Sequence, residues 1–404
     1  MKNTMFRRVI SSALAIMLTA TCFVPTAFAD TAEDTDALGT QDAAQDEASA
    51  TTGTDAIRQT SYTNYVKKYA DAARPQTDDI TVMGADYKSK SDDLSQGDTT
   101  FDGRSDVLYW ANQTGSVTYE VTVPEDGCYN MKMSYQALEG STSDVQFSLL
   151  IDGESPYATA SRITLNKRWV NETDIKQDSK GNDMRPGQVE SLCWQETPLE
   201  DIDGLFNEPL MFYMTAGTHE ITLESEKAQF VLEKLTVYQY EAPEAYTAPS
   251  DSDLKQTQGQ TITLEGETAQ YKSARTLYPT SDKTSYMTSS VNGSSPTKTR
   301  YNTIGGGSWT QSTQTVTWEF NVENDGYYKL GIFGRQDQMR GMYSNRRLYI
   351  DGVVPCSEAD RIKFYYNTDW NVVTPETDSG EPLYFYLSAG THTLALEAVP
   401  GEIG

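Results

Sequence analysis

Trp110, Trp169, Trp194, Trp309, Trp318 and Trp370 are the residues of this chain best suited to a specific contact. An indole offers a broad apolar face, and a neighbouring amide, carboxylate or guanidinium can make several hydrogen bonds at once. That combination suits a ligand with an apolar face and a polar rim. Trp110 aligns with Trp309, and Trp169 with Trp370, in a pattern that occurs twice, each at a strand end beside polar residues. These four are candidate contacts. Trp318 aligns with Tyr119 inside an alternating strand and is expected in the core. Trp194 falls in a segment read as present once, with Asn182, Asp183 and Arg185 nearby. There an arginine fork could grip a carboxylate through two parallel bonds. Arg335 opens a local basic stretch with Arg340, Arg346 and Arg347; it is a candidate for an acidic ligand, although pairing with neighbouring acids is the expected default.

Catalytic chemistry has little raw material. His219 and His392 are the two histidines, both in an Ala-Gly-Thr-His sequence at the start of a strand, so they read as turn-ordering residues. Four cysteines, one of them in the leader, leave an odd number after processing and indicate no disulfide framework. Acids are abundant, but none stands in a motif that forms a catalytic carboxylate pair. With 32 Lys and Arg against 58 Asp and Glu, net charge −26, the composition argues against nucleic acid and anionic membranes.

The elements that must position these residues are repeated. EPLMFYMTAGTHEITLE (208–224) returns as EPLYFYLSAGTHTLALE (381–397), with 11 of 17 positions identical. TYEVTVPEDGCYNMKM (118–133) returns as TWEFNVENDGYYKLGI (317–332), and LLIDG (149–153) as LYIDG (348–352). The period fits one small domain. Within each copy apolar residues alternate, Val117-Tyr119-Val121-Val123 and Val316-Trp318-Phe320-Val322, and Asp-Gly turns follow. Many short strands without an interior helix predict an all-β chain of two tandem antiparallel β-sandwiches. The first copy is 28 residues longer between Trp169 and Glu208 than the second is between Trp370 and Glu381. FVLEKLTVYQY (230–240) closes the first copy and has no counterpart in the second, which predicts that the natural polypeptide continues past 404.

Residues 1–29 read as a signal peptide: Lys2, Arg7 and Arg8, an apolar run, then Ala27-Phe28-Ala29. A secreted, cell-surface protein is expected, with no later membrane span. An acidic linker (30–60), a short helix (61–75), a first sandwich (76–241), a linker (242–259) and an incomplete second sandwich (260–404) complete the expected organisation.

The aromatic-alternating strand, the following Gly-x-Tyr, the LxIDG turn and the later Ala-Gly-Thr-His strand resemble galactose-binding-like jelly rolls, carbohydrate-binding modules of the family 6 and 35 type. The resemblance covers most of 78–240 and 260–404. It implies carbohydrate as ligand and a Glu-x-Glu pair on the first strand holding a structural calcium. Glu265 and Glu267 stand there in the second copy, where alternate residues of a strand would share a face; Met83 and Ala85 replace them in the first. The loop QDSKGNDMRP (177–186), with LYPTSD (277–282) and NTIGG (302–306), resembles a narrower group. These are large extracellular solute-binding proteins of bacterial ABC transporters, which carry two such modules ahead of the receptor lobes. The resemblance implies a non-catalytic sugar-binding part of an uptake receptor, with a permease as further partner. Accessory modules of a glycoside hydrolase, or an adhesin or spacer, are the alternatives.

Overall fold

In the computed structural model residues 60–400 are described, except 93, 95–98, 228, 257–258 and 285–294. The expected signal peptide and acidic linker lie outside the described residues. The chain is nearly all β, built from antiparallel sheets. No helix among the described residues is long and apolar enough to cross a membrane.

The first copy is a two-sheet sandwich. One sheet runs β1 (Ile80–Met83), β13 (Phe230–Tyr238), β5 (Gly127–Ala137) and β10 (Gln195–Pro198), with β3 (Leu108–Trp110) also on β13 and β11 (Met211–Met214) on β5. The other runs β2 (Ser89–Lys90), β4 (Ser116–Val123), β12 (Gly217–Lys227), β6 (Val145–Ile151) and β7 (Ile163–Leu165). Alternation decides the faces: Val117, Tyr119, Val121 and Val123 of β4 point inward and are buried, while the residues between them are not. Helix α1 (Tyr62–Lys68) starts at Ser61, whose hydroxyl accepts from Asn64 N–H. It docks through Tyr62 and Tyr65, whose hydroxyls accept the Met211 and Tyr213 N–H groups at 3.0 and 2.7 Å. A second short helix, α2 (Asp251–Gln256), lies in the segment expected to be a linker.

The second copy is assembled differently. Its main sheet orders β9 (Gln188–Glu190), β8 (Trp169–Asn171), β14 (Tyr271–Lys272), β15 (Thr315–Val322), β22 (Gly390–Val399), β18 (Tyr343–Ile350) and β19 (Ile362–Tyr365). The first two strands belong to the long segment of the first copy, so one sheet is shared by both. Two ribbons face it: β16 (Gly326–Lys329) with β21 (Tyr384–Leu387), and β17 (Ile332–Gly334) with β20 (Asn371–Val373).

Both histidines close the same turn. Asp152-Gly153 and Asp351-Gly352 take positive φ, 52° and 82° in the first copy, 51° and 80° in the second. The aspartates accept from Glu220 and Thr393 N–H through one oxygen and face His219 and His392 Nδ1 at 2.6 Å through the other. Each Nε2 faces a carbonyl, Thr215 O at 2.7 Å and Ser388 O at 2.8 Å. With acceptors on both nitrogens, the doubly protonated ring is favoured. Burial works against the charge at His219, but the Thr215 carbonyl and Asp152 outweigh it and raise the pKa; at His392 the Asp351 bond is the main cause of the rise. A raised histidine stabilises the fold below its unfolded value near 6.5 and loses that contribution as pH climbs through the folded value. The stability gap between the native protein and His219→Gln or His392→Gln is therefore expected to shrink as pH rises above 6.5 in urea titrations. A gap independent of pH would contradict the assignment.

Candidate functional site

The positions singled out in the sequence do not come together in one place.

Trp110 is core. It is fully buried, stacks on Phe230 at 5.2 Å and donates its indole N–H to Thr114 O. Its partner Trp309 repeats the device, donating to Gln314 O at 2.8 Å, with Arg346 rather than a ring over its face at 4.5 Å. The expected contact role of Trp110 is thus overturned: a loop that begins beside a strand needs an aromatic plug, and polar neighbours in sequence need not share its environment.

Trp169, Asn182, Asp183 and Arg185 form the seam between the copies. Trp169 is buried and pairs across the seam with Lys272 in the shared sheet. Lys272 is itself buried, donates to Asn171 Oδ1 at 2.9 Å, and is lowered by burial to about 8. Asp183 is sealed from water and accepts from Arg300 Nη1 (2.8 Å), Tyr301 N–H (2.9 Å) and Gln177 Nε2 (3.1 Å). Asn182 Oδ1 accepts Thr299 N–H, and the Arg185 guanidinium stacks on Tyr278 at 4.0 Å. Asn182 and Asp183 accept hydrogen bonds from the other copy, Arg185 stacks on it and Trp169 is buried in the shared sheet, which corrects their reading as ligand contacts.

The sequence pairing of tryptophans also changes. Gln195 stands opposite Tyr135, and Asn371 stands opposite Gly334, the counterpart of Tyr135 in the repeat. Trp194 and Trp370 precede those two residues, so they occupy equivalent positions, and it is Trp169 that has no partner. The extra residues of the first copy accordingly lie before Trp194 and form the seam. Aligning on Trp169 concealed this, because strand register rather than residue identity defines equivalence.

Around Trp370 the structure gathers an exposed platform. Phe333 stacks on Trp370 at 5.5 Å and 28°, and Val372 stands opposite Phe333 across β17 and β20. Phe333 is 38 % and Val372 62 % exposed. Ile332 points into the core, so Phe333 points out. Beside them Arg335 lies 5.3 Å from the Trp370 ring and binds Asp282 (3.0 Å), Asp337 (3.2 Å) and Thr284 Oγ1 (2.7 Å). Its fork is thus spent on its own acids, as the sequence default predicts. Burial raises the Asp282 carboxyl, but Thr284, Arg335 and the Trp370 indole together hold it below the usual range. The rim therefore presents the part-exposed Asp337 carboxylate, while Asp282 is nearly buried with its oxygens taken by Thr284 and Arg335. Around Trp194 the pattern is more closed: Arg104 lies over its ring at 4.4 Å and Phe101 meets it edge-on. Phe333, Val372, Asp282 and Asp337 were missed from the sequence; a phenylalanine at an outward position of an alternating strand was the available signal.

Glu265 and Glu267 do not share a strand face as expected. Gly266–Thr268 is a 3-10 turn, Glu267 is buried, and the carbonyls of Glu265 and Gly266 both accept from Trp318 Nε1. No group of three or more His, Cys, Asp or Glu suited to a metal ion occurs among the described residues. The strand face on which the calcium expectation rested is therefore not formed at this pair.

No family model matches the chain, and no curated protein does. Solved structures with partial likeness include the family 35 carbohydrate-binding module of Abf62 from Cellvibrio japonicus: 15 % identity, 41 % of this chain, 95 % of that one, TM-score 0.26. The C-terminal family 6 module of the laminarinase LamC from Zobellia galactanivorans shares 11 % identity over 40 % of this chain and 100 % of its own, TM-score 0.24. A mannanase with a family 35 module from Podospora anserina shares 9 % over 42 % of this chain and 30 % of its own length, TM-score 0.23. At these scores no property of those proteins passes to this chain.

Two outcomes test the site assignment. Asp183→Ala leaves Arg300 with no carboxylate at a sealed seam and is expected to cost about 3 kcal/mol, read as a lower denaturation midpoint. Added calcium is expected to leave the melting temperature unchanged; a rise abolished by Glu265→Ala would restore the metal.

Proposed function

We propose that this protein binds a carbohydrate without chemically altering it, on the Phe333–Trp370–Val372 platform of the second copy. The observation that carries the reading is an outward Phe333 stacked on Trp370 and bordered by the part-exposed carboxylate of Asp337, whose cation Arg335 is shared with Asp282. Aromatic faces cover the apolar face of a sugar ring, and carboxylate oxygens accept from its hydroxyls. Acceptors alone favour a neutral glycan over a uronic one. This departs from the acidic ligand that a free arginine fork would suit.

The wider setting follows from the sequence resemblance: a secreted recognition part of a sugar-uptake receptor that serves a transporter permease. Attachment to a glycoside hydrolase would use the same platform to hold an enzyme on its polysaccharide. The natural gene product distinguishes the two, through receptor lobes in the first case and a catalytic domain in the second.

A glycan array with the purified chain is expected to show neutral oligosaccharides bound. Phe333→Ala should weaken the best of them about tenfold or more, a loss of roughly 1.4 kcal/mol, with the fold intact by circular dichroism. Binding confined to uronic glycans, or unaffected by Phe333→Ala, would contradict this placement.

A further inference from the structure

Among the described residues two lysines are sealed from water, and one of them is answered by an acid. Lys167 is fully buried and donates to Glu190 at 3.0 Å and to Ser141 O at 2.6 Å. Lys272 is 1 % exposed, and no carboxylate pairs with it among the described residues. Val316, opposite Lys272, belongs to the core of the second copy, so the amine starts from an apolar face. An unpaired ammonium is costly there; burial favours the neutral amine and brings the group down to about 8. A neutral lysine amine is a nucleophile. Register shows that the long segment of the first copy makes the difference. Lys90 stands opposite Val117 as Lys272 stands opposite Val316, yet Lys90 is half-buried and donates to Leu94 O at 2.6 Å.

What the Lys272 amine faces is a carboxamide. Trp169 of β8 stands opposite Lys272 of β14, so Asn171 is the diagonal neighbour on the same face, within reach of a long side chain. Nζ donates to Asn171 Oδ1 at 2.9 Å. Gln188, opposite Asn171 on β9, donates its Nε2 to the same oxygen at 2.8 Å. Two donors on one oxygen fix the orientation of the amide and draw electrons from its carbon. That carbon is one C=O bond, about 1.2 Å, from the oxygen that Nζ already touches. Asn171 is itself part-exposed, so a leaving group can escape to water.

We propose that Lys272 and Asn171 become joined by an amide bond between their side chains, a covalent stitch across the seam. Nζ adds to the Asn171 carboxamide carbon, and Oδ1 gathers negative charge under the Gln188 N–H. One amine proton passes to Nδ2, the Cγ–Nδ2 bond breaks, and that nitrogen leaves as ammonia while the carbonyl re-forms. Nothing is oxidised or reduced, and no co-reactant is consumed. The bond closes a loop between positions 101 apart in sequence, which restricts the unfolded chain as a long-loop disulfide does. It involves no platform residue and stands independently of the glycan reading.

Mass spectrometry of the purified, folded chain reads the bond directly. After incubation the intact mass is expected to fall short of the sequence mass by one ammonia. Trypsin should release a branched peptide in which 169–176 is joined to 256–275, uncleaved after Lys272. Lys272→Gln and Asn171→Ala should each abolish the deficit and the branch, and Gln188→Ala should slow its formation several-fold. An aged, folded chain at its full sequence mass, without the branched peptide, would overturn the proposal. So would loss of ammonia without the branch, or conversion of Asn171 to aspartate in its place. The deciding reading is made on the unaltered chain, so a variant that fails to fold leaves the test standing.

Discussion

A carboxylate placed almost out of reach of water must be answered by the protein, and Asp183 is answered by the other copy. Arg300 supplies the charge, and Tyr301 N–H and Gln177 complete the shell. Removing Arg300 would strand a buried carboxylate, so the long segment of the first copy is committed to the second. The rest of the joint follows from that fixed point. Trp169 pairs with Lys272, Arg185 stacks on Tyr278, and Arg347 Nη2 reaches Asn207 O at 2.7 Å. The seven-stranded sheet is a consequence of this joint, because β8 and β9 have no sheet of their own to extend.

The joint also separates scaffold from surface. Residues that look equally reactive in a sequence are sorted by whether their polar atoms are already spent. Asn182 and Asp183 are spent on the seam, where Arg185 stacks on Tyr278, and Arg335 is spent on Asp282 and Asp337. What remains open is the outward pair Phe333 and Val372 beside the part-exposed Asp337.

Much of the fold was legible in the residues. Period-two alternation marks β4 and β15, and the Asp-Gly and Gly-Thr-His turns recur because an aspartate at positive φ can hold a histidine and a backbone N–H together. The site was less legible, for physical reasons. Trp110 looked like a contact because its sequence neighbours are polar, yet its ring is packed on Phe230. Glu265 and Glu267 looked like strand neighbours, yet Trp318 takes the carbonyls of Glu265 and Gly266, and the chain turns there. Trp194 and Trp370 are equivalent only through strand register, which no alignment of letters reveals across a long insertion.

The two copies form one cooperative body, joined by a shared sheet and the Asp183–Arg300 ion pair. Differential scanning calorimetry tests it most directly. A single transition with equal calorimetric and van't Hoff enthalpies is predicted for the chain. Two resolved transitions, one for each copy, would contradict it.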